Sequence, residues 1–99
     1  MTWSEAEYLE YLQVERRCYA WVMRRHGDLT LAESWAAALA CYPYEPSDAA
    51  YRGLVFHDEA WHWAMLAIHG ERYTVEHPEL AQPSAEYTAL GQTGVVRSC

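Results

Sequence analysis

Apolar residues recur every three or four positions in the first quarter of the chain, which predicts an amphipathic helix. Ser4 followed by Glu7 forms a capping box at its start, and Gly27 is typical of the residue just beyond a helix end. The predicted buried face comprises Tyr8, Tyr11, Leu12, Tyr19, Val22 and Met23. The first element is therefore expected to be a long helix with arginines on its opposite side.

A second helix is predicted from Thr30 to about Tyr42, where Pro43 ends it. The stretch TLAE supplies another capping box at its start. Its apolar stripe comprises Leu31, Trp35, Ala38, Leu39 and Tyr42. The following YPYEPSD predicts a rigid, aromatic loop before a third helix.

The third predicted helix begins at Ser47 or Asp48 and ends at His69, and Gly53 or Asp58 is the position at which it could break into two pieces. It carries two apolar faces: Ala50, Leu54, Trp61, Ala64, Met65 and Ile68 on one side, and Phe56, Trp63 and Leu66 on the other. A helix that is apolar on two sides needs cover on both. Either residues 71–90 cover the second face, or that face is an aromatic strip exposed for a partner.

These elements predict an all-α fold, a small bundle of three main helices with the third helix central. A short C-terminal helix or arm, around Ser84 to Leu90, is expected to pack over that third helix. We expect residues 1–90 to form one domain and residues 91–99 a flexible tail. The residues predicted to be largely buried are Trp21, Leu39, Trp61, Met65 and Ile68.

The charge of the chain narrows the choice of partner. Fourteen acids against seven basic residues give a net charge of −7. Proteins that bind nucleic acid along its phosphates present basic surface, so direct nucleic-acid binding is not expected. There is also no apolar run long enough to cross a membrane. A protein partner, or a second copy of the chain, fits the composition better.

The number and spacing of the three cysteines indicate the cellular compartment of the protein. Cys18, Cys41 and Cys99 are odd in number and lack a C-x-x-C pair, so neither a disulfide scaffold nor a zinc knuckle is predicted. We expect reduced thiols in a cytoplasmic protein. The sequence has no lysine and no asparagine, a bias that suggests a GC-rich bacterial or phage genome.

One group of polar residues has the types that bind metals. In EAWH, Glu59 and His62 have the E-x-x-H spacing and resemble half of a ferritin-like di-iron motif, whose full site needs a second such motif and further glutamates. Glu15 falls within the apolar face of the first helix, and a buried acid requires a partner. Three alternatives remain: a buried pair of Glu15 with His62 or a tyrosine hydroxyl, a transition-metal site of Glu15, Glu59 and His62 completed in a homodimer, or a solvent-facing Glu15.

The stretch YAWVMRRHGDLTLAESWAAAL resembles, in the order of its features, the helical accessory region of nitrile hydratase β-type chains over about a quarter of the sequence. Generic helix-turn-helix segments share this order. No site residue is therefore carried over from that family.

The sequence favours a binding function over an enzymatic one. No histidine stands beside Cys18 or Cys41, and no G-x-S-x-G or glycine-rich phosphate loop is present. We expect a small, acidic, non-enzymatic protein-binding module, a regulator or inhibitor without a cofactor; the alternative is a metal-dependent or small-molecule-binding protein. Aromatic residues and arginine are typical interface anchors. The predicted contact residues are Arg52, Phe56, Glu59, Trp63 and Leu66.

Overall fold

Helices account for every regular element in residues 4–91, the part of the chain that the computed structural model describes. The elements are α1 (Glu5–Gly27), α2 (Leu31–Cys41), a 3-10 turn (Leu54–His57), α3 (Ala60–His69), α4 (Tyr73–Glu76), a second 3-10 turn (Pro78–Leu80) and α5 (Ala85–Gly91). The predicted all-α class is confirmed. The predicted tail lies outside the described residues, apart from Gly91.

The start of α1 is as predicted, but its end is not. The Ser4 hydroxyl accepts a hydrogen bond from the Glu7 N–H at 3.1 Å, and the Glu7 carboxylate accepts from the Ser4 N–H at 3.0 Å. At the other end Asp28, not Gly27, adopts the left-handed conformation, with φ 59°. Gly27 is the last helical residue, and a Cβ there would lie 3.3 Å from the Ile68 side chain. The glycine therefore allows the close approach of α1 and α3.

The predicted capping box of α2 is also present, between Thr30 and Glu33. The predicted apolar stripe is partly wrong, because Leu31 and Leu39 are exposed whereas Ser34 and Ala38 are buried. Two small residues one turn apart let the α2 backbone approach its neighbour closely. The buried hydroxyl of Ser34 is satisfied locally, since it donates to the Leu31 carbonyl at 2.9 Å.

The central position belongs to α1, although the apolar pattern assigned it to the third helix. α1 packs against α2, α3 and α5. It can do so because its buried side spans more than one face. The residues of α1 that are buried are Tyr8, Leu12, Val14, Glu15, Cys18, Tyr19, Ala20, Val22 and Met23.

The third predicted helix is broken at both of the positions named from the sequence. Gly53 adopts a left-handed conformation with φ 81°, and Asp58 is extended. The predicted start at Ser47 or Asp48 is wrong, because a turn occupies this part of the chain. Phe56 and Trp63 therefore lie in different elements and do not share a helical face.

The C-terminal arm packs over α3 as predicted. Tyr87 of α5 is buried, with its ring edge-on to Trp61 at a centroid distance of 5.3 Å. Arg25 of α1 reaches Glu86 at 3.0 Å, which also ties α5 to the central helix. Of the predicted core residues, Trp61 and Met65 are fully buried and Trp21 and Ile68 partly buried, whereas Leu39 is not part of the core.

Candidate protein-binding surface

Glu15 lies in the core, as its place on the apolar face predicted. Its side chain is 1% exposed, and its Oε2 atom has no hydrogen-bond partner among residues 4–91. The predicted pair with His62 does not form, because that imidazole is engaged elsewhere. Its Nδ1 lies 2.8 Å from the Tyr73 hydroxyl and its Nε2 lies 3.8 Å from the Asp58 carboxylate.

The surroundings of Glu15 favour its neutral form. Burial, and then the charge of Glu59, raise the pKa of Glu15 to about 8. The hydroxyl of Tyr42 is likewise buried without a partner in the described chain, and burial followed by the charge of Glu15 raises the pKa of Tyr42. The Glu15 carboxyl is therefore mostly protonated near pH 7.

The three residues of the metal hypothesis do not assemble into a ligand set. Glu59 is the N-cap of α3, exposed and extended, so only His62 of the E-x-x-H pair lies within the helix. Across residues 4–91 no group of three or more histidine, cysteine, aspartate or glutamate side chains is placed to hold a metal ion. The E-x-x-H spacing places Glu59 and His62 on one face only if both residues are helical. α3 begins at Ala60, so Glu59 lies just outside it.

The aromatic strip predicted for partner binding is mostly packed within the chain. Phe56 stacks on Tyr42 at a ring-centroid distance of 5.9 Å, and the Trp63 indole N–H donates to the Val55 carbonyl at 2.8 Å. Phe56, Trp63 and Leu66 all lie against the core as partly buried side chains. Phe56 contacts the rings of Tyr8 and Tyr11 of α1 and of Tyr42 at the end of α2, and Trp63 bonds to the first 3-10 turn.

Arg52 fixes the preceding loop to the start of α1. Its Nη2 lies 2.7 Å from the Glu5 carboxylate, and its Nε donates to the Glu45 carbonyl at 3.0 Å. Its guanidinium carbon also stands 3.7 Å above the centre of the Tyr8 ring. A planar guanidinium can make ionic, hydrogen-bond and cation–π contacts together. Arg52 therefore acts as a brace between two parts of the chain.

Further hydrogen bonds close the same loop. The Glu45 carboxylate accepts from the Gly53 N–H at 3.0 Å, and the Glu45 N–H donates to the Tyr8 hydroxyl at 2.9 Å. The Tyr44 hydroxyl donates to Glu5 at 2.6 Å, and this bond, followed by the one from Arg52, lowers the pKa of Glu5. Residues 44–45 and 51–54 thus lie side by side. The sequence gives no spacing rule that would have identified Tyr44 and Glu45.

Three large apolar side chains project from this braced loop into solvent. Tyr51 is 81% exposed, Leu54 is 59% exposed and Tyr44 is 50% exposed. They are three of the seven exposed large hydrophobic residues in the described chain. We call the area formed by Tyr44, Tyr51 and Leu54 the 44–54 surface.

Tyr51 has a strained backbone, with φ 60°. A left-handed conformation costs a bulky L-residue about 1–2 kcal/mol. Such a cost persists only where the surroundings impose it, and here the Arg52 and Glu45 contacts do so. The loop therefore holds an aromatic ring in water against both its hydrophobicity and its backbone preference.

Removal of the Arg52 brace is expected to loosen the loop without unfolding the bundle. In Arg52→Ala the amides of Glu45 and Gly53 should exchange hydrogen faster than in the wild type, because the contacts that order them are lost. Hydrogen–deuterium exchange measured by mass spectrometry reads this directly. Arg17→Ala, which removes an exposed arginine from the same bundle, should leave the loop unchanged. Equal exchange in the wild type and Arg52→Ala would contradict the bracing role.

The cysteines lend no support to a thiol-based activity. Cys41 is free and partly buried, and burial raises its pKa to about 11, away from the thiolate that nucleophilic chemistry needs. Cys18 is buried and disulfide-bonded. The expectation of reduced thiols is wrong for Cys18, so the cysteines do not argue for a cytoplasmic location.

Comparison with protein-family models, with curated proteins and with solved structures finds no match for this chain. Within residues 4–91, no helix combines the length and the apolarity that a membrane span requires.

Proposed function

We propose that the protein is a non-enzymatic protein-binding module that contacts its partner through the 44–54 surface. The observation that carries this proposal is Tyr51, an aromatic ring held in solvent by a strained and braced loop. Large aromatic side chains dominate the energetics of protein interfaces. A contact that is already ordered loses little conformational entropy on binding. Tyr51 supplies the aromatic ring, and the Arg52 and Glu45 contacts order the backbone that carries it.

The residues predicted for partner binding keep a role, but mostly as support. Arg52 positions the loop, and Phe56 packs beneath it against the rings of Tyr11 and Tyr42. Trp63 fastens α3 to the backbone of the same segment. These interactions favour a rigid display of the 44–54 surface over direct contact by the predicted strip.

A regulator or inhibitor is the kind of binding module that we propose. The chain is short and acidic, and of the residues considered for a metal site Glu15 is buried and mostly neutral while His62 is engaged with Tyr73. A bacterial or phage origin belongs to the same proposal, since the composition suggests such a genome.

Photo-crosslinking tests the surface assignment. A photo-reactive amino acid placed at position 51 should give discrete protein adducts in the source cells, because the side chain there would enter the interface. The same probe at position 75, where exposed Val75 lies on α4, should not give them. Adducts from position 51 should also disappear in a Leu54→Ser background that retains the wild-type circular dichroism. If positions 51 and 75 gave the same adducts, the proposed surface would be wrong.

A further inference from the structure

We infer that the 44–54 surface binds a basic segment of a partner protein, one with lysine or arginine residues around an apolar anchor. The inference rests on the proposed function and adds the chemistry of the partner. Its basis is the juxtaposition of exposed apolar side chains with a locally acidic part of the chain.

Charge is unevenly distributed along the sequence. The first basic residue is Arg16, so the opening turns of α1 carry acids alone. The loop and the first 3-10 turn, residues 42–58, contain a single arginine, Arg52. The acids in these two stretches, apart from buried Glu15, are Glu5, Glu7, Glu10, Glu45, Asp48 and Asp58. The apolar surface is therefore built from the acidic part of the molecule.

The charges of Arg52 and Glu5 offset each other within the chain, so the acidity that a partner meets comes from the other acids. The Arg52 side chain is 13% exposed and its guanidinium is bound to Glu5 and stacked on Tyr8. By contrast, Asp48 is exposed between Tyr44 and Tyr51 in the sequence, and Glu7 is exposed on the first turns of α1, near the Glu5 that contacts Arg52. A partner that approaches the 44–54 surface thus meets apolar groups with a negative rim.

The same charge argues against the other occupants. A nucleic acid would bring its phosphates toward carboxylates, which is unfavourable. A symmetric dimer through this surface would place each acidic rim against its own copy, and juxtaposed like charges oppose association. A lysine- or arginine-rich segment pairs with the rim, and its apolar residue covers Tyr51 and Leu54.

Binding of synthetic peptides tests this inference. The probe is an amphipathic peptide of leucine and lysine, and its matched control is the same peptide with glutamate in place of lysine. Fluorescence anisotropy should show binding of the basic peptide alone. Its affinity should fall about tenfold between roughly 50 and 300 mM salt, because exposed charges are screened.

Two variants and their matched controls locate the contact. The double variant Tyr51→Ser with Leu54→Ser should lower the affinity for the basic peptide at least about tenfold. Val75→Ser should leave this affinity unchanged. Asp48→Asn should weaken binding of the basic peptide about twofold and reduce its salt dependence. Glu71→Gln removes as much charge from an exposed position near α4 and should have no effect. Circular dichroism of each variant checks that the fold is kept.

Each outcome decides between the two proposals. Binding of both peptides that is lost in the Tyr51 and Leu54 variant would overturn the basic partner and leave the proposed function standing. Basic-peptide binding that the Tyr51 and Leu54 variant does not weaken would overturn the site. Self-association that this variant abolishes, with no peptide bound, would show that a second copy is the occupant. If no peptide bound, no self-association occurred and the position 51 crosslinks were also absent, both proposals would fail.

Discussion

Replacing Glu15 with glutamine is expected to produce a protein whose stability no longer falls as the pH rises from about 4.5 to about 8. Glu15 is buried without a partner for Oε2 in the described chain, and burial with the charge of Glu59 raises its pKa to about 8. In the unfolded chain the carboxyl ionises near its ordinary value of 4.5. The two states therefore bind the proton differently.

The sign of the effect follows from linkage. Below about pH 4.5 Glu15 is protonated in both the folded and the unfolded chain, so its ionisation does not affect the free energy of unfolding. Between about pH 4.5 and about pH 8 only the unfolded state is ionised, so unfolding releases a proton and becomes easier as the pH rises. Above about pH 8 the loss of stability is complete, at roughly 4–5 kcal/mol. The glutamine variant is neutral throughout and should escape this loss.

Urea denaturation of the wild type and Glu15→Gln at about pH 5, 7 and 9 measures the difference. The gap in the free energy of unfolding should widen with pH, and Glu15→Met should behave like Glu15→Gln because it is also neutral. Glu71→Gln, at an exposed acid, should run parallel to the wild type. Carbon NMR of the Glu15 carboxyl should show a midpoint near pH 8. Parallel curves for the wild type and Glu15→Gln would show that Glu15 is ionised in contact with water.

The helix starts could be read from the sequence because their signals are local. A Ser4–Glu7 or Thr30–Glu33 capping box satisfies backbone donors within one turn of the chain. Such an interaction needs no knowledge of tertiary contacts. The same holds for Gly53 and Asp58, whose positions as breaks follow from their own backbone preferences.

The packing face of α2 could not be read in this way. The hydrophobic pattern predicted that Leu31 and Leu39 are buried. Close approach of the α2 backbone to its neighbour instead favours burial of the small residues Ser34 and Ala38. Which stripe is buried depends on the distance to the neighbouring helix, and that distance is a tertiary property. A polar residue such as Ser34 becomes acceptable in the core because its hydroxyl bonds to its own helix.

The candidate surface was predicted in part. Arg52 was identified as an anchor from its residue type, yet its contacts with Glu5 and Tyr8 join residues far apart in the sequence. No local sequence pattern identified Tyr51 as a contact residue. Its left-handed backbone and exposed ring depend on those long-range contacts. Sequence patterns locate the loop, and the long-range hydrogen bonds decide which of its side chains reach solvent.

Truncation of Trp61 to alanine is expected to cost roughly 3–5 kcal/mol of the free energy of unfolding. The side chain is 2% exposed and stands edge-on to His26 of α1, at a centroid distance of 5.1 Å, and to Tyr87 of α5. Its indole N–H donates to the Leu80 carbonyl at 2.9 Å. One ring thus joins α1, α3, α5 and the second 3-10 turn, and its loss leaves a cavity and an unpaired carbonyl.

Urea denaturation followed by far-UV circular dichroism measures the loss, since that signal comes mainly from the helical backbone and not from the removed indole. Trp61→Phe should be intermediate, because it keeps an aromatic ring near His26 and Tyr87 but cannot donate to Leu80. Trp35→Ala, at a partly buried tryptophan on α2, should cost less than Trp61→Ala because less of that ring is removed from water. A small domain has only about 5–15 kcal/mol of stability in total, so Trp61→Ala should approach the limit of folding. A loss below about 1 kcal/mol would place Trp61 outside the core and contradict the packing of α5 over α3.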